Sequence, residues 1–144
     1  MKLARIRRSS ASTLGVWWDF EDNERLDAPH QSHLSLCIAE RDNPTYRDAL
    51  ARLSMERRSD MRNLEGDAYL AAWQACVTRA MAEGILVGWA NIENDDGEAI
   101  AYSVEQADKF LADDALWQLR QFVLDASGIA DAYRTEAIGE ASGN

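Results

Sequence analysis

The stretch Gly84-Ile-Leu-Val-Gly-Trp-Ala-Asn-Ile-Glu-Asn-Asp-Asp-Gly-Glu-Ala-Ile-Ala-Tyr-Ser103 decides how this chain folds. It begins as the apolar end of a long helix, turns over through Asp95-Asp96-Gly97, and finishes at Ser103, placed as the N-cap of the next helix. Apolar residues punctuate it at Ile85, Leu86, Val87, Trp89, Ile92, Ile100 and Tyr102, whereas a linker would be polar. Glycine takes positive φ without steric cost, and aspartates before it bond their own backbone in tight turns. Asp-Gly between alternating apolar residues is a hairpin signal, so residues 90–102 read as a short, irregular hairpin. Ser103 with Gln106 three positions on fits a capping box. Trp89, Gly97 and Ser103 are therefore the structural anchors, with the indole N–H of Trp89 needing a partner once buried.

Toward the N-terminus, residues 2–8 alternate apolar and basic side chains and suggest an edge strand. Residues 13–20 contain Val16-Trp17-Trp18-Asp19-Phe20, rich in strand formers. Residues 21–32 are polar, include Pro29 and read as a loop, and residues 34–38 alternate as a strand. These pieces predict a small antiparallel sheet of two or three strands, which must pack on helices to be stable. At Asn43-Pro44 the character changes, because asparagine is a good N-cap and proline suits the first helical turn. Tyr46, Ala49, Leu50 and Leu53 then follow at helical spacing. This helix is expected to run to about residue 63. A break near residues 64–67 follows, with Asp67 capping a second helix whose stripe is Leu70, Trp73, Val77 and Met81 and which ends near Gly84.

Beyond Ser103 three shorter helices are expected. The first buries Val104, Ala107, Phe110 and Leu111. The second starts at Asp113 or Asp114, shows Leu116, Leu119, Val123 and Ala126, and is stopped by Ser127-Gly128. The third runs from residue 129 to about 140 with Ile129, Tyr133 and Ala137, and residues 141–144 form a frayed tail. The expected fold is mainly α, of α+β class: a β-rich part over residues 1–40 packed on about five helices over residues 43–144, in one domain.

One domain is the default at 144 residues. A hydrophobic content of 47% and five tryptophans supply a core without staples. No apolar run is long enough for a transmembrane helix, and no apolar segment follows the basic start, so a signal peptide is not expected. Cys37 and Cys76 lack CxxC spacing and read as reduced, small apolar residues of a cytosolic protein. The net charge of −10 is uneven: residues 1–62 carry +1 and residues 63–144 carry −11. Such a C-terminal half is repelled by nucleic acid and anionic membranes, so neither is an expected partner.

Catalytic and metal-binding patterns are weak. His30-Gln-Ser-His33 near Glu40 imitates a metal site, but zinc needs convergent ligands in set geometry, and no metal or cofactor is expected. Cys37 has no histidine or lysine placed to lower its pKa. No phosphate loop is present, and the acidic run from Glu93 to Glu98 lacks the calcium-loop ligand pattern. Arg52, Arg57, Arg58 and Arg62 are interrupted by Glu56 and Asp60 and read as a solvated, salt-bridged face.

The order of motifs is more informative. A strand running into Asn43-Pro-Thr-Tyr46 and a helix, then Gly84-Ile-Leu-Val-Gly-Trp89, Asp95-Asp-Gly97 and Ala101-Tyr-Ser103, resembles tail assembly chaperones of long-tailed, siphovirus-type bacteriophages. The resemblance covers roughly residues 34–144. It implies a non-enzymatic protein of the host bacterial cytoplasm, absent from the mature virion. Its partner would be the long helical tape measure protein, kept from aggregating while tail tube subunits assemble, with the tail tube protein as a further partner. A minor structural protein of the tail, at its completion or connector end, is the alternative. A helical client calls for a groove between helices with an acidic rim favouring a basic client. The C-terminal helices offer Phe110, Trp117, Phe122 and Tyr133 beyond what their core stripe needs. Trp117 lies away from the Leu119–Val123 stripe: it is either partly exposed, unless a neighbour or a second copy covers it, or packed on the N-terminal sheet.

Overall fold

The computed structural model describes residues 1–135. The fold is α+β. Helix α1 (Ala11–Leu14) leads into β1 (Val16–Asp19), β2 (Glu24–Leu26) and β3 (Ser35–Ile38). Then come α2 (Pro44–Glu56), α3 (Arg58–Met61), α4 (Gly66–Gly84), β4 (Leu86–Ala90), α5 (Val104–Ala112) and α6 (Trp117–Ser127). The strands form one sheet in the order β2-β1-β3-β4, and every pairing is antiparallel.

Register explains the core. Trp18 stands opposite Leu36, and Leu36 opposite Trp89. Because side chains alternate between faces, these three buried residues make one apolar row across three strands. Met81, Ile85, Leu111, Val123 and Tyr133 join them in the main core. On the other face Cys37 pairs with Gly88, and a side chain at Gly88 would come within 3.3 Å of the Cys37 Cβ.

Local chemistry sets the helix starts. The Asn43 side chain accepts from Tyr46 N–H at 3.1 Å, with Pro44 next to it. The Ser103 hydroxyl accepts from Gln106 N–H, also at 3.1 Å. Between α4 and α5 the expected hairpin is present. Glu93 bridges Ala99, Ile100 N–H donates to Ile92 O, and Gly97 holds φ +80° in the turn. Trp89 closes this corner by donating its indole N–H to Ile100 O at 2.8 Å and meeting the Tyr102 ring edge-on.

A buried carboxylate fastens the two ends of the described chain. Arg134 Nη1 lies 3.0 Å from both oxygens of Glu40, and Arg8 Nε lies 3.1 Å from one. Ser9 N–H donates to Tyr133 O, and Thr135 N–H to Arg7 O. A charge removed from water needs such full pairing to persist.

Several sequence expectations are corrected. The sheet has four strands. Strand β2 falls in the stretch read as a loop, and β4 occupies residues read as a helix end. Pairing with β1 and β3 recruits both, which local propensity does not register. Residues 2–8 form no edge strand; they contain a 3₁₀ turn at Leu3–Arg5, and Arg8 alone bridges to Arg134. The first long helix stops at Glu56 rather than near residue 63, because Arg57 (φ −95°, ψ 2°) offsets α3 from it. Helix α4 begins at Gly66, and Asp67 lies inside its first turn rather than capping it. Of the stripe predicted for α4, Met81 is fully buried, while Leu70 is 55% and Trp73 37% exposed. After Gly128 the chain makes a 3₁₀ turn at Ala130–Tyr133 and is extended at Arg134, in place of a helix from residue 129. Ala137 and the tail over residues 141–144 lie outside the described residues.

Candidate functional site

The short helix α6 is entered through a 3₁₀ turn at Asp114–Leu116, where the Asp113 carboxylate accepts from Ala115 N–H at 2.9 Å. Leu119, Val123 and Ala126 turn inward and are buried. Trp117 begins the helix on another flank and is left 61% exposed. It stands between two open grooves. The larger, about 810 Å3, lies between α4, the end of α2 and the α5–α6 corner; Leu53, Ala71, Ala75 and Leu111 supply its apolar lining. The smaller, about 430 Å3, lies on the other side of Trp117 and is lined by Trp18, Phe20, Phe122 and Ile129.

The larger groove carries both signs of charge: Arg57, Arg79 and Arg120 with Asp108, Asp113 and Asp114. Its rim is therefore mixed rather than acidic. Arg79 is committed to Glu83 at 3.3 Å, Glu105 at 3.6 Å and Asp108 at 3.8 Å. Arg120 donates to the Thr78 hydroxyl at 2.7 Å and to Leu111 O at 3.3 Å, both neutral acceptors.

The four residues expected at a partner surface separate. Trp117 lines both grooves and Phe122 lines the smaller one. Phe122 is half-buried against Phe20, with ring centroids 5.1 Å apart. Phe110 packs on Trp89 at 5.5 Å, in the wall of the core. Tyr133 is wholly buried and donates its hydroxyl to Ile38 O at 2.8 Å; burial pushes its phenol far above the usual range. It is a core residue, because the turn after α6 directs it back toward β3. Sequence reasoning missed Leu53, Ala71 and Ala75, whose placement in the groove depends on how α2 and α4 cross.

The histidines form a different arrangement from the one read in the sequence. They meet Asp19 rather than Glu40. Asp19 is buried, accepts from Glu21 and Asp22 N–H through one oxygen, and lies 3.0 Å from His33 Nδ1 through the other. His30 stacks on His33 with centroids 3.9 Å apart and planes 10° from parallel. The Nδ1 of His30 accepts from Ser32 and His33 N–H. Its lone pair is thus used, and parallel rings do not aim their in-plane lone pairs at one point, so this geometry serves the loop rather than a metal. Asn91, at φ +67°, ties that loop to the end of β4 by donating to His30 O and His33 O. Burial pushes the Cys37 thiol up to about 11, which leaves it unreactive near neutrality.

A family model described as YdaY prophage protein matches residues 41–144, more than half of the chain. The chain belongs to this YdaY family. It is a phage-derived protein. No curated protein and no solved structure matches it. The matched segment runs from Arg41 through α2–α6 and includes the larger groove, Trp117 and β4; strands β1–β3 precede it. No helix among the described residues is long and apolar enough to cross a membrane.

Proposed function

We propose that this YdaY-family chain is a non-enzymatic tail assembly chaperone that holds a helical segment of the phage tape measure protein. The observation that carries the reading is Trp117, a large aromatic left 61% exposed on a ridge between two grooves with apolar linings. Monomeric surfaces leave single apolar residues exposed as a matter of course. A tryptophan flanked by grooves is instead the arrangement that anchors an amphipathic helix. An amphipathic client carries an apolar stripe beside charges of both signs, which suits a rim holding arginines and aspartates together. The motif order from Asn43 to Ser103 and the prophage family support the same reading.

The test is co-expression with the large helical protein encoded for the same tail, followed by affinity capture of this chain. Co-purification is the expected result, together with absence of the chain from purified particles by mass spectrometry. Stoichiometric copies in mature virions would instead make it a minor structural protein of the tail.

A further inference from the structure

The two grooves beside Trp117 differ in charge. Three arginines line the larger one. Among the described residues no lysine or arginine lines the smaller, and Asp125 is its one acidic side chain. The rest of its lining is Trp18, Phe20, Trp117 and Phe122, two aliphatic side chains and three side-chain amides. Asp125 accepts from the Gln121 amide at 2.9 Å and is in no ion pair among the described residues.

The borders of the smaller groove are acidic as well. Phe20 comes from the turn Asp19-Phe-Glu-Asp-Asn-Glu24, on which Glu21, Asp22 and Glu24 are exposed. On the α6 side, residues 121–131 include Asp125 and Asp131 and no lysine or arginine. The cations nearest in the fold turn elsewhere. Arg120 bonds Thr78 and Leu111 O beside the larger groove, and Arg41 donates to Leu124 O. Arg25 stands opposite Trp18 on β2 with its Nε buried. His33 lies 3.7 Å from Glu21 and 3.6 Å from Asp22, and does not line the groove.

We infer that the smaller groove receives a basic side chain, lysine or arginine, from the partner, and that Asp125 selects for its charge. Ring faces attract a cation through their quadrupole, tryptophan most strongly. The methylene stem of lysine or arginine lies along apolar surface while its head stays polar. A wholly apolar ligand would take water from the Asp125 carboxylate and return nothing, and an acidic one would be repelled. That the basic side chain belongs to the helical client rests on the proposed function; the preference of the groove for a cation does not.

The test is an NMR titration of the purified full chain at fixed ionic strength. It is read at the Trp117 indole N–H signal, which Trp117→Phe identifies among the five tryptophans. The probes are n-butylammonium and n-propylguanidinium, the ends of lysine and arginine side chains, with neutral n-butanol and anionic butyrate for comparison. At least one cation should bind about two- to fivefold more tightly than n-butanol, and butyrate more weakly than either. Asp125→Asn should abolish this preference and leave n-butanol binding unchanged. Asp114→Asn, in the larger groove, should leave the preference intact. Cations that bind no better than n-butanol, or a preference that survives Asp125→Asn or is lost equally with Asp114→Asn, would overturn the inference. Failure to capture the tape measure protein while the cation preference holds would instead count against the proposed client alone.

Discussion

The Asn43 side chain donates to the carbonyl of Gly84 at 2.7 Å, across forty-one positions of sequence. The same amide group donates to Glu40 O at 2.7 Å, and its oxygen accepts from Tyr46 N–H. One fully buried residue therefore caps α2, terminates α4 and holds the exit of β3. Gly84 is required at this crossing, since a Cβ there would lie 2.6 Å from Tyr46 N and 2.7 Å from Tyr46 Cα.

Two substitutions test this joint. Asn43→Ala removes the cap and the side-chain donor to the Gly84 carbonyl, while Glu40 O keeps the backbone N–H of residue 43 at 3.3 Å, a loss of about 2–4 kcal/mol. Aspartate is as good a cap as asparagine, yet Asn43→Asp places a carboxylate oxygen against those carbonyls. Chemical denaturation should rank Asn43→Asp no more stable than Asn43→Ala. Gly84→Ala should cost about 1–3 kcal/mol from overpacking against backbone that cannot yield easily. If Asn43→Asp proves as stable as the parent chain, the Gly84 contact does not matter.

The corner between α4 and α5 rests on Trp89. Trp89→Ala should cost about 3–5 kcal/mol, as for a buried large aromatic, while Trp89→Phe should recover most of it and lose the bond to Ile100 O. Gly97 gives a contrasting case: a side chain there meets nothing within 4 Å, but φ is +80°. Gly97→Val should cost about 1–2 kcal/mol from backbone strain alone, and Gly97→Asn distinctly less. Equal melting temperatures for the valine and asparagine variants would remove strain as the cause.

These elements also mark where sequence reading succeeds. Asn43-Pro44, Gly97 and Ser103 act through neighbours within three or four positions, so their roles are written locally. Strand β4 is legible only once β3 is beside it, because Leu36 and Cys37 decide that Trp89 and Gly88 lie in a sheet. Tyr133 looked like a surface aromatic because its partner, Ile38 O, is ninety-five positions away. Asp19 gave no signal as the partner of His33, since the β1–β2 hairpin and the following loop bring them together. Trp117 was legible in part: helical geometry alone sets it off the Leu119–Val123 stripe, but packing on the N-terminal sheet was equally open, and only the placement of the sheet leaves it 61% exposed.

The Asp19–His33 pair predicts a pH dependence. The hydrogen bond to Asp19 raises the His33 pKa above its ordinary 6.5, aided by the charges of Glu21, Asp19 and Asp22 and opposed by desolvation. A raised folded-state pKa stabilises the protein fully below 6.5, and that contribution is lost as pH climbs through the folded value. Asp19 is lowered, chiefly by the Asp22 N–H bond, so its share is full above its ordinary 3.8 and is lost as pH falls from there through its depressed folded value. The melting temperature of the parent chain should therefore exceed that of His33→Gln most in mildly acidic buffer, with the gap narrowing toward alkaline pH. A gap that is constant across this range would mean that His33 acts through packing, without its charge.

Trp117 separates partner binding from folding. It is 61% exposed, so Trp117→Ala should change stability by no more than about 0.5 kcal/mol. Leu119→Ala, two positions on and buried, should cost about 2–5 kcal/mol. Under the proposed function the order reverses for binding. Removing the indole takes the anchor from the ridge between both grooves, and capture of the tape measure protein should weaken about tenfold or more. Trp117→Phe should retain part of the affinity, because a smaller ring still bridges the two linings. Leu119→Ala should bind normally for whatever fraction remains folded. The opposite pattern, with Trp117→Ala unfolding while its residual folded fraction binds as before, would place the indole in the core and require the client to be held elsewhere.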